Sequence, residues 1–352
     1  MVTIKKISFL ISTLCLSFLL VTLVHAQSDP IIIDLDVNAT ITLSMSPQNP
    51  TPGDTVHLKV TGGSLVDLQD STITWFQNGK NISKGVGNTD LDIKAGALGQ
   101  EINIVVQVTP PGGISSTQTL SIIPTHIDLL IDSDSYTPPF YRGRALPSAG
   151  TRLRMQALTY FKRPNGSLIP PSSIIYTWSQ NGQIAGSLSG LGHQTVTLPS
   201  PVLYSTDVIK VDAASTDGTL HGSASITLSS VQPLITLYED HPLFGLMYHQ
   251  MMGDQTSIPD SEMTFAAVLY FAQIKGPTDP RLQYTWKVNG AVVPSNAVRP
   301  DEITINADKS KGDANIGLSI SHTTNFFMSP RGTWDVTFKT IGQVDNPFSK
   351  SF

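Results

Sequence analysis

Apolar and polar residues alternate through most of this chain, and the alternation is sharpest before three tryptophans. Ile73 and Trp75 share one parity, as do Ile174, Tyr176 and Trp178, and Leu282, Tyr284 and Trp286. Thr72, Ile175 and Gln283 take the other. A period of two predicts a strand with one face in a core. Each tryptophan opens the same spacing, T-W-x-x-N-G, at Thr74–Gly79, Thr177–Gly182 and Thr285–Gly290. Asn-Gly supplies the positive φ values of a two-residue hairpin turn. Each copy therefore predicts a core strand ending near a buried indole, then a tight turn into a neighbour.

The tryptophans lie 103 and 108 residues apart, too far for solenoid repeats and close to the length of one β-sandwich. Each repeat is thus expected to be a whole domain with its own core. The hairpin Thr74-Trp75-Phe76-Gln77-Asn78-Gly79-Lys80 resembles the C to C′ hairpin of bacterial immunoglobulin-like and PKD-like surface domains. The resemblance implies an all-β chain of three tandem Ig-like antiparallel sandwiches, with a structural or adhesive role at the cell envelope. Residues 27–123, 124–231 and 232–352 are the expected domains, the last with a short C-terminal tail, and Pro124 and Gln232-Pro233 mark the boundaries.

Other strands follow by the same alternation. In the first domain, Ala39 to Ser46 reads as strand A. Val56, Leu58 and Val60 mark strand B, and Ile102, Ile104, Val106 and Val108 mark strand F. In the second, Leu153, Met155 and Ala157 face in, while Arg152, Arg154 and Gln156 face out. Ile209, Val211 and Ala213 form its F strand. In the third, Ala267 to Phe271 matches Ala157 to Phe161, and Ala314, Ile316, Leu318 and Ile320 form strand F. Trp334, Val336 and Phe338 form the last strand. Short linkers predict an extended rod.

Residues 1–26 look like an export signal. Lys5 and Lys6 precede an apolar run of 18 residues, Ile7 to Val24, and Val24-His25-Ala26 suits cleavage before Gln27. The run is also long enough for a retained N-terminal anchor. The one cysteine, Cys15, lies inside it after Leu14, which does not suit lipid attachment. The mature chain has no cysteine, so its sandwiches must hold by apolar packing, which about 100 residues can supply. That favours a bacterial source, and an extracellular, surface or periplasmic location. Membrane contact is expected only if the N-terminal segment is retained.

Composition narrows the partners. Charged residues are 14% of the chain and its net charge is −5, near −7 without the leader. With no basic cluster, nucleic acid and anionic lipid are poor partners. Other envelope proteins, or further copies of the chain, suit it better. G-x-S-x-G, H-E-x-x-H and P-loop patterns are absent from the sequence, and its histidines are scattered, so it reads as non-enzymatic and without a cofactor.

Two segments break the rule that loops are polar. Asp132 to Gly150 contains Phe140 and Tyr141, and Glu239 to Asp260 contains Phe244, Met247 and Tyr248. Both read as long A–B loops. One reading folds them over the open end of their own sandwich. The other makes them a contact surface for a subunit, glycan or peptide. Trp75, Trp178 and Trp286 are core residues by their parity, rather than sugar platforms. His241, His249, Met247, Met251 and Met252 have copper-ligand chemistry but share one irregular segment. Asp132, Asp134, Glu239 and Asp240 lack a calcium-loop pattern and read as solvated turns. N-terminal sequencing of the exported protein is expected to begin at Gln27; a start at Met1 would mean a retained anchor.

Overall fold

The structure is a computed structural model that describes residues 41–63, 66–253, 255–258, 262–306 and 312–338. The expected export signal with Cys15, the start of the expected strand A, Asp260 and the tail from Ile341 lie outside the described residues. Those that are described form strands, turns and two single 3-10 turns, with no α-helix.

The first sandwich packs two antiparallel sheets. One contains β1 (Ile41–Ser46), β2 (Thr55–Gly62) and β5 (Asp90–Lys94); the other contains β3 (Thr72–Gln77), β4 (Lys80–Val86), β6 (Ile102–Thr109) and β7 (Ser116–Ile122). Their orders are β1-β2-β5 and β4-β3-β6-β7. This is the A-B-E and C′-C-F-G arrangement of an Ig-like domain. Val56, Leu58 and Val60 meet Ile73, Trp75, Ile104, Val106 and Val108 between the sheets.

The second sandwich repeats the plan. Sheet β13-β9-β8 combines β8 (His126–Ser133), β9 (Arg152–Tyr160) and β13 (Thr195–Pro199). The facing sheet runs β11-β10-β14-β15, from β10 (Ile174–Gln180), β11 (Gln183–Ile184), β14 (Thr206–Ser215) and β15 (His221–Ser229), with β12 (Gly190–Leu191) also on β10. Leu153, Met155 and Ala157 are buried, Arg152 and Arg154 are exposed, and Gln156 is half-buried.

The third sandwich departs from the expected plan. The described part of the Glu239–Asp260 segment is not a loop. Strand β16 (Leu234–His241) continues through Glu239 and Asp240, turns at Gly245 and returns as β17 (Gly245–Met251). Strand β18 (Gln255–Ile258) then pairs in parallel with β24 (Arg331–Phe338), the one parallel ladder among the described strands. The physical reason lies in the sequence of the segment. Gly245, at φ 68°, supplies the left-handed backbone that lets β16 turn back, and β17 then pairs with it. The sheets are β17-β16-β19-β22 and β18-β24-β23-β20-β21, with β19 (Glu262–Tyr270), β20 (Leu282–Val288), β21 (Ala291–Val293), β22 (Glu302–Asn306) and β23 (Gly312–His322).

The repeated hexapeptide does the same work three times. Trp75, Trp178 and Trp286 are buried. Their indole N–H groups donate to the carbonyls of Asn88 (3.0 Å), His193 (2.9 Å) and Pro300 (3.0 Å). Each acceptor lies two residues before a strand the sequence reading passed over: β5, β13 or β22. Asn78, Asn181 and Asn289 have φ values of 50°, 52° and 50°, and the following glycines 78°, 79° and 82°. These fit the two-residue turn that Asn-Gly favours. Their side chains do more than permit the turn. Asn181 Oδ1 accepts from Val208 N–H at 2.9 Å, while Asn181 N–H donates to Val208 carbonyl at 2.8 Å. Asn78 makes the same closed pair with Asn103, and Asn289 with Asn315. The turn is thereby tied to strand F.

Asn181→Gly preserves the permitted backbone but removes both side-chain bonds, the Oδ1 acceptor for Val208 N–H and the Nδ2 donation to Asp207 Oδ1 at 2.7 Å. We expect it to cost about 1 kcal/mol and to lower the unfolding midpoint of the second sandwich by about 4–8 °C in calorimetry. An unchanged midpoint would mean that the side-chain bonds add nothing.

Candidate interaction surface

The segment between β8 and β9 begins with small buried hydroxyl residues. Ser133, Ser135 and Ser148 are buried, and Ser135 Oγ donates to Leu146 carbonyl at 2.7 Å. These bonds hold the segment's ends while its middle reaches across to the third sandwich. Phe271 N–H donates to Tyr136 carbonyl at 2.7 Å, and Tyr136 N–H donates to Ala272 carbonyl at 2.8 Å. The Tyr136 ring packs on the third core. The segment therefore does not fold over its own sandwich, as the simpler sequence reading had it.

An aromatic cluster continues from this clasp. Tyr141 meets Tyr270 and Phe271 edge-on, each with ring centroids 5.6 Å apart. Phe140 lies 5.0 Å from Tyr248, and Tyr248 lies 5.4 Å from Tyr238. Such separations suit tilted and edge-to-face aromatic pairs. The Tyr238 and Tyr270 hydroxyls are 2.7 Å apart. Burial, and then this bond to Tyr238, hold the Tyr270 phenol well above its ordinary value. Burial likewise raises Tyr136 and Tyr248. These phenols stay neutral and act as hydrogen-bonding and packing groups.

Part of the surface faces solvent. Phe140 is 71% exposed, Leu243 82% and Phe244 73%. Leu243 and Phe244 form the tip between β16 and β17, where Phe244 sits 4.8 Å from the His241 ring. Met247 and Tyr248 are half-buried on β17. An open groove of about 800 Å³ runs beside the tip, lined by Glu239, Asp240, His241, Glu262, Met263 and Thr264. Thus Phe140, Tyr141 and Tyr248 belong to one cluster, while Phe244 is at the adjoining hairpin tip.

The candidate metal ligands are placed differently from one another. Met252 is in the third core, whereas Met251 is exposed. His241 Nδ1 accepts from Leu243 N–H at 3.2 Å. Asp134 accepts from Arg152 N–H, and Asp132, Glu239 and Asp240 lie within strands rather than turns. Among the described residues, no group of three or more His, Cys, Asp or Glu could hold a metal ion.

The sequence points to the Tyr136–Tyr141 segment but not to Tyr238, Tyr270 and Phe271 as members of this surface. Phe161 and Phe271 end matching segments, but Phe161 is wholly buried in its own core. Phe271 has φ 57°, uncommon for an aromatic residue, and its ring meets Tyr141 instead. A second contact joins the same two sandwiches. Asn325 Nδ2 donates to Ala149 carbonyl and to Gln273 Oε1, both at 2.7 Å. Between the first two sandwiches, a cleft of about 580 Å³ is lined by Leu43, Met45, Leu120, Ile175, Asp212 and His221, among others.

No family model matches the chain, and no curated protein matches it. Solved structures do show similarity. The three N-terminal domains of the bacteriophage RB49 highly immunogenic outer capsid protein are 13% identical, covering 86% of this chain and 99% of theirs, with a TM-score of 0.24. The central fibronectin-III array of RIM-binding protein is 13% identical, covering 86% and 98%, with a TM-score of 0.27. A Bacteroides ovatus glucan-utilization protein, SGBP-B, in complex with a mixed-linkage heptasaccharide, is 13% identical, covering 85% and 70%, with a TM-score of 0.22. The strand orders above make the described chain a tandem array of three Ig-like β-sandwiches.

Gly150 has φ 89°, and a Cβ there would run into the side-chain amides of Asn325 and Gln273. We expect Gly150→Ala to lower amide protection at Asn325 about tenfold, a loss of about 1.4 kcal/mol. Hydrogen exchange in the second core should not change. Equal loss in that core would instead indicate damage to the sandwich itself.

Proposed function

We propose that this chain is a non-enzymatic, exported array of Ig-like domains that makes protein contacts at the cell envelope or surface. The carrying observation is the exposed aromatic surface at the second junction. Leu243 and Phe244 project from the tip of the β16–β17 hairpin, and Phe140 packs on Tyr248 further along β17. A rigid base lowers the ordering cost of binding, and exposed aromatic and aliphatic side chains supply area that a partner can desolvate. The basic and apolar leader supports export, and the low charge suits a protein partner better than a polyanion. Partners would be other envelope proteins or a further copy of the chain.

A glycan or peptide ligand is the second reading. It is favoured by the exposed Phe140 ring next to Tyr248 and by the carboxylates along the adjoining groove. Sugar C–H faces can stack on such rings while their hydroxyls bond to carboxylates.

Retention of the purified protein on envelope fractions separates the readings. A protein partner predicts loss of retention after protease treatment of the fraction, but not after periodate oxidation. A glycan predicts the reverse. Under either reading, Phe140→Ser and Phe244→Ser should each weaken retention at least about tenfold, the size expected for a central aromatic contact, without changing the unfolding midpoint. Unaltered retention by both variants would remove this surface from the proposal.

A further inference from the structure

The turn after β23 holds a histidine in an arrangement that its charged form cannot keep. His322 ends β23, pairs with Leu282 on β20 and is 6% exposed. Its Nδ1 lies 3.2 Å from Thr324 N and 3.0 Å from Asn325 N. Both backbone groups are N–H donors, so Nδ1 is the acceptor and carries no proton. The Thr324 hydroxyl sits at 3.3 Å from the same nitrogen. The proton of the neutral ring is therefore on Nε2, which is buried with no hydrogen-bond partner among the described residues.

Two charged groups face this ring. Arg281, whose carbonyl accepts from Thr323 N–H, opposes a positive imidazole, and Asp279 favours one. Asp279 is already engaged by the Arg281 guanidinium at 2.6 and 2.9 Å. Burial first, and then Arg281, push His322 below the ordinary histidine value of 6.5.

The same turn holds the second junction. Asn325 joins Ala149, between β8 and β9, to Gln273, between β19 and β20. Its carbonyl accepts from Met328 N–H at 3.0 Å, and its Oδ1 accepts from Phe327 N–H at 3.2 Å. Gly150 packs directly against it. The position of Asn325 thus depends on the turn that His322 Nδ1 organises.

We propose that His322 is an acid-sensitive latch on the junction between the second and third sandwiches. A proton taken from solvent by Nδ1 places a new N–H against the amide N–H groups of Thr324 and Asn325. Two hydrogen bonds become repulsive contacts, the turn opens, and Asn325 leaves Ala149. The Tyr136 clasp contains only backbone bonds and phenols that remain neutral in acid, so it persists. The junction then loosens at the Asn325 contact while both sandwiches stay folded. Because the folded histidine binds a proton more weakly than the unfolded one, the latch is complete above about pH 6.5. It is lost as pH falls through the lower folded value.

Nuclear magnetic resonance on the full chain tests this directly. At neutral pH the His322 ring nitrogens should report a proton on Nε2 and none on Nδ1. As pH falls from about 7.5 to about 4.5, protection at Thr324 and Asn325, corrected for intrinsic exchange, should drop at least tenfold. Protection at Leu318 in the same strand should hold. His322→Asn keeps an acceptor near the Nδ1 position and does not titrate, so its protection should be flat over this range. Asn325→Ala should reproduce the acid state of the junction at neutral pH, read as faster proteolysis within residues 142–150. A proton on Nδ1 at neutral pH would overturn the proposal. So would pH-independent protection in the native chain, an unchanged acid transition in His322→Asn, or native proteolysis in Asn325→Ala.

Discussion

Each sandwich depends on how one buried tryptophan closes the gap between its two sheets. An indole brings a large apolar surface and one obligatory N–H donor into the core. Here the ring fills space beside strands B and F, and the N–H reaches the chain just before strand E. A single side chain thus sets both the packing of one sheet and the start of a strand in the other. The Asn-Gly turn completes the restraint by binding strand F through both its backbone and its side chain. With Cys15 the one cysteine of the sequence, no disulfide can join the sheets within a sandwich, and it is the indole N–H bond that reaches across.

The junctions follow a different logic. Inside a sandwich, neighbouring residues in sequence alternate between core and solvent. At the second junction, residues from four separate segments meet: Tyr136 and Tyr141, Tyr238 and Tyr248, Tyr270 and Phe271, and Asn325. Aromatic packing makes one part of the contact and a polar clasp another. The aromatic part contains phenols held neutral, whereas the polar part depends on one neutral imidazole. Acid therefore acts on one part of a contact that is otherwise insensitive to it.

This arrangement bears on function because the exposed residues belong to the same unit. Phe140 packs on Tyr248 from the face that also borders the β16–β17 tip. A partner bound there would touch both the second and third sandwiches. Its affinity would reflect how firmly they are held together, as expected when binding draws on preorganisation.

The sequence by itself determined the period-two strands, the three cores around Trp75, Trp178 and Trp286, and the Asn-Gly turns. These are local: side-chain parity and positive φ are properties of a few adjacent residues. It did not disclose strand E, because Leu91 and Ile93, Val196 and Leu198, or Ile303 and Ile305 offer only two apolar positions each. Nor did it separate a loop from the hairpin at Gly245–Met251, where periodicity is weak. Tertiary structure alone decided that Tyr136 clasps the third sandwich, that Phe271 turns away from the course taken by Phe161, and that His322 governs Asn325. Those outcomes rest on contacts between residues far apart in the chain, and no local pattern encodes which surfaces will meet.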